Sequence, residues 1–411
     1  ATVVRPLVGV AGDAPADGVV IAEPTAQHGS ALGIGVNPWS GLHDPEAMAF
    51  AVVDEAIRNC VAVGADPDRV ALLDNFSWGD PRRESTMGDL VAAVDGCCAA
   101  AYTFGAPFVS GKDSLNNEYI GADGERHAVP PTLVITAMAH VPDADRCVTP
   151  DLGEPGDVLF LLGTTSPEFA GSHLDLVLGE PDDPGVAPSP DPDAPDNYRR
   201  LHAAISAGLV SACHDVSEGG LAVALAEMCI GGRVGAAIDT LPDDDLATSL
   251  FSESIGRLLV AVSPALVSEF LRTVDDGVLQ LGEVSASGML TLPGVEPVMV
   301  DDLVDAFTNP DISVDHRSSA CAAAKPWASP DRERTATVTS QMPCGWREPF
   351  RASCSPMNWS RHDDSSTTPT SPWSPADSAT PTRSVPVGCS RSTSRSGSEI
   401  DSATSSRRAV R

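Results

Sequence analysis

Short apolar runs of strand length alternate with helical patterns along the first 150 residues. Residues 132–141 are almost wholly apolar, which is typical of a buried strand, whereas residues 44–65 and 87–104 repeat apolar side chains at helical spacing. This alternation predicts a mixed α/β (α+β) layer fold rather than a helical bundle or a β-sandwich. Because no stretch approaches the about 18 consecutive apolar residues of a membrane span, the sequence also predicts no membrane segment.

Two folded domains are predicted. Proline, aspartate and glycine cluster at residues 142–157, so we expect a first domain over residues 1–150 and a second over residues 151–310. In the second domain, residues 157–163 read as a strand and residues 279–292 suggest a closing hairpin.

The low-complexity stretch 311–411 follows different compositional rules. No leucine occurs between Asp315 and Arg411, and Ile400 is the one isoleucine there. Such a stretch cannot bury enough apolar surface to offset the entropy of ordering it, so a disordered tail is predicted. Four of the six tryptophans also fall in it. That favours a second interpretation, in which a GC-rich gene is read out of frame beyond residue 310.

Charge divides the chain at the same place. Residues 1–314 carry 48 acidic and 13 basic side chains, whereas residues 315–411 carry 9 and 13. An acidic surface repels nucleic acid and anionic membranes and stays soluble where salt screens its self-repulsion. The composition therefore indicates a cytoplasmic protein of a halophile that binds neither. Since the first residue is Ala1 rather than methionine, the chain is also consistent with a fragment of a longer protein.

The clearest chemical signal is the sequence SGKDSLNNE at residues 110–118. The chain has only two lysines, and one of them, Lys112, lies here. A glycine lets the backbone approach an anion, an ammonium supplies positive charge, and a hydroxyl donates to phosphate oxygen. Gly111, Lys112 and Ser114 are therefore predicted to form a phosphate-binding turn after an apolar strand. A solvent-exposed loop lysine without a ligand is the alternative.

Oxygen-bearing side chains occur at two further places. Glu55 and Asn59 lie four residues apart on the polar face of the predicted 44–65 helix, where they could share a divalent cation or simply be solvated. Asp215 and Ser217 follow a predicted strand and precede two glycines and a helix, whose N-terminus favours an anion. Ser217 is alternatively only a helix cap.

Three more residues complete the candidate set. Asp17 lies where two short predicted strands meet, and Asp74 ends an apolar run before an aromatic turn. A strand that delivers an acid into such a loop is a common way to build a site. His214, a lone histidine beside a turn, is predicted to be a structural hydrogen-bond donor rather than a base.

Six stretches, in this order along the chain, resemble the second half of formylglycinamide ribonucleotide amidotransferase, also called phosphoribosylformylglycinamidine synthase. They are residues 28–38, 54–59, 72–76, 110–118, 214–220 and 250–254. The resemblance covers residues 5–300. This family belongs to a superfamily of ATP-using enzymes that includes aminoimidazole ribonucleotide synthetase and selenophosphate synthetase. It implies a synthetase-like N-terminal α/β domain, whose strands join a barrel-like dimer interface, followed by a C-terminal α/β domain.

The resemblance also implies roles for individual residues. Positions matching Asp74 and Gly111 contact ATP, and the position matching Ser114 contacts substrate. In longer relatives, magnesium is held at the positions matching Asp17, Glu55, Asn59 and Asp215. A nucleotide that is thought to be structural lies beside the positions matching Ala16 and Ser217. Short relatives have an asparagine metal ligand where this chain has Lys112. Because an ammonium cannot ligate magnesium, Lys112 is expected to contact phosphate.

The implied reaction converts formylglycinamide ribonucleotide, ATP and ammonia from glutamine to formylglycinamidine ribonucleotide, ADP and phosphate in purine biosynthesis. The implied partners are a glutaminase subunit, a small bridging subunit and the first half of the same enzyme. That half carries the family's catalytic histidine, so no catalytic residue is assigned here and the chain alone is expected to be inactive. The alternatives are a catalytically silent nucleotide-binding half and another ATP-using member of the superfamily.

Overall fold

Two β-sheets with helices packed on them form the part of the chain that the computed structural model describes, residues 1–179, 185–275 and 277–309. This confirms the predicted mixed α/β class. The boundaries at residues 150 and 310 stay predictions, and the disordered or out-of-frame tail over 311–411 lies outside the described residues. None of the helices in the described ranges combines the length and apolarity needed to cross a bilayer.

The elements have the following bounds. The helices are α1 (Pro45–Ala62), α2 (Glu84–Phe104), α3 (His173–Leu178), α4 (Ala194–Ser206), α5 (Gly220–Gly232), α6 (Leu246–Phe251), α7 (Val267–Val274) and α8 (Val300–Thr308), with short 3-10 helices at Ser40–Leu42 and Ala144–Arg146. The strands are β1 (Thr2–Val4), β2 (Leu7–Val8), β3 (Ala14–Pro15), β4 (Gly18–Ala22), β5 (Gly29–Val36), β6 (Val70–Ser77), β7 (Phe108–Ser114), β8 (Glu118–Ile120), β9 (Arg126–Ala128), β10 (Thr132–Val141), β11 (Val158–Leu162), β12 (Ala212–Asp215), β13 (Gly235–Ile238), β14 (Leu258–Val262), β15 (Val278–Ser285), β16 (Met289–Thr291) and β17 (Val298–Met299).

The first sheet has the strand order β1-β4-β5-β10-β6-β7, and only β6 and β7 run parallel. Successive residues of β5 and β10 alternate between buried and more exposed, as expected for a sheet with one covered side. The buried side packs on α1. The other side leaves Ile21, Ile34 and Met138 between 45% and 54% exposed.

Two glycines of β5 set how closely α1 approaches this sheet. A Cβ atom on Gly33 would lie 2.4 Å from the Ala56 carbonyl oxygen, and one on Gly35 would lie 2.0 Å from the Val52 carbonyl oxygen. Any side chain at these positions would push the helix away from the strand. The polar residues of α1 are therefore held at a fixed height above β5.

The second sheet has the order β12-β14-β11-β15-β13-β16-β17, and its strands β11, β12 and β14 are almost wholly buried. Phe160 and Leu162 of β11 join a hydrophobic cluster that continues through α4 and α7 into the first sheet. Leu159 and Leu161 face the other way and join the cluster formed with α5. The two sheets therefore share one core on the side where α1 lies.

The structure corrects two local predictions. Gly111, Lys112 and Ser114 do not form a turn, because β7 continues through Ser114 and the chain turns afterwards, at Asn116, which has a positive φ of 67°. Residues 279–292 do not form a hairpin: β16 pairs in parallel with β13 and antiparallel with β17. Apolar alternation identifies a strand but does not determine its partner.

We expect Gly35→Ala to lower the free energy of unfolding by about 1–3 kcal/mol, because the added methyl group overlaps the backbone of α1. Thermal and denaturant unfolding measure the change. Gly88→Ala is the matched control, since it lies in α2 with no atom within 4 Å of the new methyl group. The control should be neutral or stabilising by up to about 1 kcal/mol. Equal stability of the two variants would contradict the close approach of β5 and α1.

Candidate functional site

The polar face of α1 is buried, because β12 of the second sheet packs against it. Arg58 is 1% exposed and Asn59 is 8% exposed. Arg58 forms an ion pair with Asp54, and its Nη2 atom lies 3.4 Å from Oδ2 of Asp215. For Arg58 and Asn59, the solvated-face interpretation is therefore wrong.

Asp17, His214 and Asp215 form a compact group at this interface. Oδ1 of Asp17 lies 2.6 Å from Nδ1 of His214 and accepts a hydrogen bond of 3.4 Å from the backbone N–H of Asp215. Nε2 of His214 lies 3.0 Å from Oε2 of Glu227 on α5. One potential ligand atom from each of Asp17, His214 and Asp215 lies within 4.8 Å of the others. His214 is thus a hydrogen-bonding link between two carboxylates.

Burial and crowding perturb the acids of this group. Burial raises the pKa of Asp17 to about 6. Burial, then the charges of Glu218 and Asp215, raise the pKa of Glu55 well above its ordinary value. Burial also acts on Asp215, but Arg58 and His214 outweigh it and lower the pKa of this carboxyl. Carboxylates packed this closely favour a bound cation, which would stabilise their ionised forms.

Two buried oxygen atoms of the group lack hydrogen-bond partners among the described residues, namely Oδ2 of Asp17 and Oδ1 of Asn59. The amide nitrogen of Asn59 donates to the Ile34 carbonyl at 2.9 Å, so its oxygen is left as an acceptor. Glu55 and Arg58 line an adjacent cavity of about 20 Å³, enough for one water molecule or ion. Oxygen donors of this kind fit a hard divalent cation such as magnesium.

The predicted nucleotide neighbours lie beside this group. Ala16 directly precedes Asp17, and Oγ of Ser217 donates to Oδ2 of Asp215 at 2.8 Å. Ser217 is not the helix cap, because Gly219 is the N-cap of α5. Asp215, Ser217 and Glu227 line a cavity of about 380 Å³, a volume within the range of small-molecule sites.

Asp74 and Gly111 face each other across the parallel pair β6 and β7. Oδ1 of Asp74 accepts a hydrogen bond of 3.2 Å from the backbone N–H of Lys112. A Cβ atom on Gly111 would lie 2.1 Å from that same oxygen, so the absence of a side chain at Gly111 leaves room for the Asp74 carboxylate. The ammonium of Lys112 donates to Oγ of Ser114.

Side chains alternate between the two faces of the sheet along β6 and β7, so Asp74, Gly111, Lys112 and Ser114 do not all lie on the same face. Asp74 pairs with the buried Ile135 of β10 and faces the side covered by helices, whereas Lys112 and Ser114 face the uncovered side. Four strand spacings separate β4 from β7, which is on the order of 19 Å. The structure therefore divides the predicted residues between two groups. The interdomain group is Asp17, His214 and Asp215, with Glu55 and Asn59 of α1 beside it. The sheet-edge group is Asp74, Gly111, Lys112 and Ser114.

Two residues at the interdomain group are not predicted by the sequence patterns. Glu227 hydrogen-bonds to His214, and the buried Glu253 accepts hydrogen bonds from the backbone N–H groups of Gly219 and His173, at 2.8 and 2.7 Å. The signal for Glu253 was its place in the 250–254 stretch that carries the resemblance, where it is the one ionisable side chain and lies between Ser252 and Ser254. Glu227 lies on a mostly apolar helix, where an acid needs partners.

Several solved structures share this fold. T. maritima PurL complexed with FGAR is 20% identical, and the match covers 74% of this chain and 50% of that chain with a TM-score of 0.56. PurLQS from Thermotoga maritima is 22% identical over 74% and 48%, with a TM-score of 0.55. T. maritima PurL complexed with ATP is 21% identical over 73% and 47%, with a TM-score of 0.52. The chain thus spans about half the length of these proteins.

Two family models match the sequence along most of its described length. The model described as AIR synthase related protein, N-terminal domain, matches residues 17–141, and the corresponding C-terminal domain matches residues 154–293. These matches confirm the superfamily and the order of the two domains that the resemblance implies. The chain belongs to the AIR synthase related family and contains both of its domains.

Proposed function

We propose that the chain is the second half of an ATP-dependent ligase that converts formylglycinamide ribonucleotide to formylglycinamidine ribonucleotide with ammonia derived from glutamine. The family and the fold shared with PurL proteins solved with FGAR and with ATP support this reaction class. The observation that carries the proposal is the cluster of Asp17, His214 and Asp215, whose potential ligand atoms lie within 4.8 Å of one another, with the unpaired Asn59 oxygen and the crowded Glu55 carboxyl on the adjacent helix α1.

At the interdomain group, Asp17, Glu55, Asn59 and Asp215 would hold magnesium, which would neutralise the phosphate charge of ATP or ADP. Arg58 keeps Asp215 ionised, and His214 orients Asp17 through the 2.6 Å contact. Ala16 and Ser217 would contact the nucleotide. A nucleotide there would contact both domains, which share a core, and this favours a catalytically silent nucleotide-binding half as the second candidate function.

The sheet-edge group would serve the reaction itself. Asp74 and Gly111 would contact ATP at this sheet edge, where the glycine makes room for the Asp74 carboxylate, and Ser114 would contact the formylglycinamide ribonucleotide from the uncovered side. Lys112 would exchange its bond with Ser114 for a phosphate oxygen, since an ammonium provides three donors and one positive charge. These residues align the reactants and stabilise charge, as phosphoryl transfer requires.

The proposed reaction needs further chains. The half-exposed Ile21, Ile34 and Met138 form an apolar side of the first sheet that the first half of the enzyme would cover. A glutaminase subunit would supply ammonia, and a small bridging subunit would join the two. The acidic surface disfavours nucleic acid as a partner.

We expect Asp17→Asn and Asp215→Asn each to weaken binding of Mn²⁺ and of MgADP at least about tenfold, because each removes one charged oxygen ligand. Electron paramagnetic resonance of Mn²⁺ and calorimetry with MgADP measure the two affinities. Asp239→Asn, an exposed aspartate at the end of β13, is the matched control and should bind like the parent chain. Unchanged affinities in the two site variants would rule out the interdomain group as the metal site.

We expect Ser114→Ala and Asp74→Asn to lower the rate of product formation at least about tenfold when the upstream half is supplied with ammonia and ATP, because the reactants lose a positioning contact. Phosphate release and chromatography of the product follow the reaction. Ser268→Ala, on the exposed side of α7, should leave the rate unchanged. If Ser114→Ala and Asp74→Asn both form product at the rate of the parent chain, the chain is a catalytically silent nucleotide-binding half instead.

A further inference from the structure

The 250–254 stretch, to which the proposed reaction gives no role, packs against the turn that carries Ser217. In this turn, residues 217–220, Gly220 has a left-handed φ of 67°. A Cβ atom on Gly220 would lie 2.6 Å from the carbonyl oxygen of Ser252. The turn, called the nucleotide turn below, therefore lies on the backbone of the 250–254 stretch with no space for a side chain between them.

Glu253 binds the nucleotide turn through one carboxylate oxygen. Its Oε1 atom accepts a hydrogen bond of 2.8 Å from the backbone N–H of Gly219 and one of 2.7 Å from the backbone N–H of His173, the first residue of α3. Glu253 is 5% exposed. Hydrogen bonds that a carboxylate accepts are stronger than neutral ones, and a buried N–H that loses its acceptor is costly. The Glu253 carboxylate thus joins the nucleotide turn to the start of α3.

Both of these segments line the cavity of about 380 Å³ beside α5. His173 and Val177 of α3 form one part of its wall, and Ser217 and Gly219 of the nucleotide turn form another. Glu253 itself does not line this cavity. It can therefore act on a molecule bound there only through the two segments that it holds.

The backbone that carries Glu253 is itself fixed. The fully buried guanidinium of Arg257 donates to the carbonyl of Ser252 at 2.6 Å and to the carbonyl of Ser254 at 2.8 Å. Oγ of Ser254 also accepts a hydrogen bond of 3.0 Å from the backbone N–H of Ser166. Because its neighbours on both sides are held in this way, Glu253 sets the position of the nucleotide turn rather than following it.

The proposed metal ligands have other supports. Asp215 is the last residue of β12, which pairs with β14. Glu55 and Asn59 lie on α1, and Oδ1 of Asp17 contacts Nδ1 of His214 at 2.6 Å. A change that loosens the nucleotide turn therefore leaves these metal ligands in place.

We propose that Glu253 is a positioning residue for the nucleotide of the interdomain group, which orients the nucleotide turn and the start of α3 around that ligand without contacting the metal. This inference rests on the proposed nucleotide site, in which Ser217 contacts the nucleotide. Its consequence is that loss of the Glu253 carboxylate lowers the affinity for a metal–nucleotide complex but not the affinity for the metal alone.

The experiment measures both affinities on the full chain, MgADP by calorimetry and Mn²⁺ without nucleotide by electron paramagnetic resonance. Glu253→Leu should weaken MgADP binding at least about tenfold, because two buried N–H groups lose their acceptor. The affinity for Mn²⁺ should stay within about twofold of the parent value, since its ligands keep their supports. Retained Mn²⁺ binding also shows that the two domains of the variant are correctly folded and packed.

Two further variants separate the hydrogen bonds from other effects. Glu253→Gln keeps a side-chain oxygen as acceptor, so it should weaken MgADP binding by at most about threefold. Glu269→Leu, at an exposed glutamate of α7, is the matched control and should bind both ligands like the parent chain.

The outcomes distinguish this inference from the proposed site. A parent chain that binds neither Mn²⁺ nor MgADP would overturn the proposed site and the role of Glu253 with it. If the parent binds both, the role of Glu253 alone is overturned by unchanged MgADP affinity in Glu253→Leu, by an equal loss of Mn²⁺ affinity, or by an equal effect of Glu253→Gln.

Discussion

The burial of Arg58 between Asp54 and Asp215 is the interaction on which the arrangement of the two domains depends. Asp54 also accepts hydrogen bonds from the Tyr198 hydroxyl, at 2.5 Å, and from the backbone N–H of Gly256, at 3.1 Å. The Arg58 guanidinium on α1 thereby joins carboxylates from both domains. Loss of one partner of such a buried pair typically costs about 3–5 kcal/mol, because the remaining charge stays buried without compensation.

The elements that the sequence predicted well are those that local signals define. The predicted 44–65 helix is observed as Pro45–Ala62, because Asp44 caps it by accepting from the Ala47 N–H and a proline occupies its first turn. The almost wholly apolar 132–141 segment is β10, a strand between two others in its sheet. Fold class and these elements therefore follow from periodicity and capping alone.

The site was predictable only in part, because its grouping depends on tertiary structure. Glu55 and Asn59 were identifiable as oxygen donors four residues apart, but their burial depends on β12, which is more than 150 residues away in sequence. The phosphate-binding turn was wrong for a similar reason: pairing with β6 extends β7 through Ser114. Strand pairing then places Lys112 and Asp74 on opposite sides of the sheet.

The hydrophobic cluster shared by both sheets restricts how a ligand can enter the interdomain group. Tyr198 of α4 stacks on Phe104 of α2 with their ring centroids 5.9 Å apart, and both side chains are almost fully buried. Opening the molecule like a hinge would expose these rings to water, at an unfavourable hydrophobic cost. The cavity of about 380 Å³ beside α5, which Asp215 and Ser217 line, is therefore a route to this group that leaves the stacked rings in place.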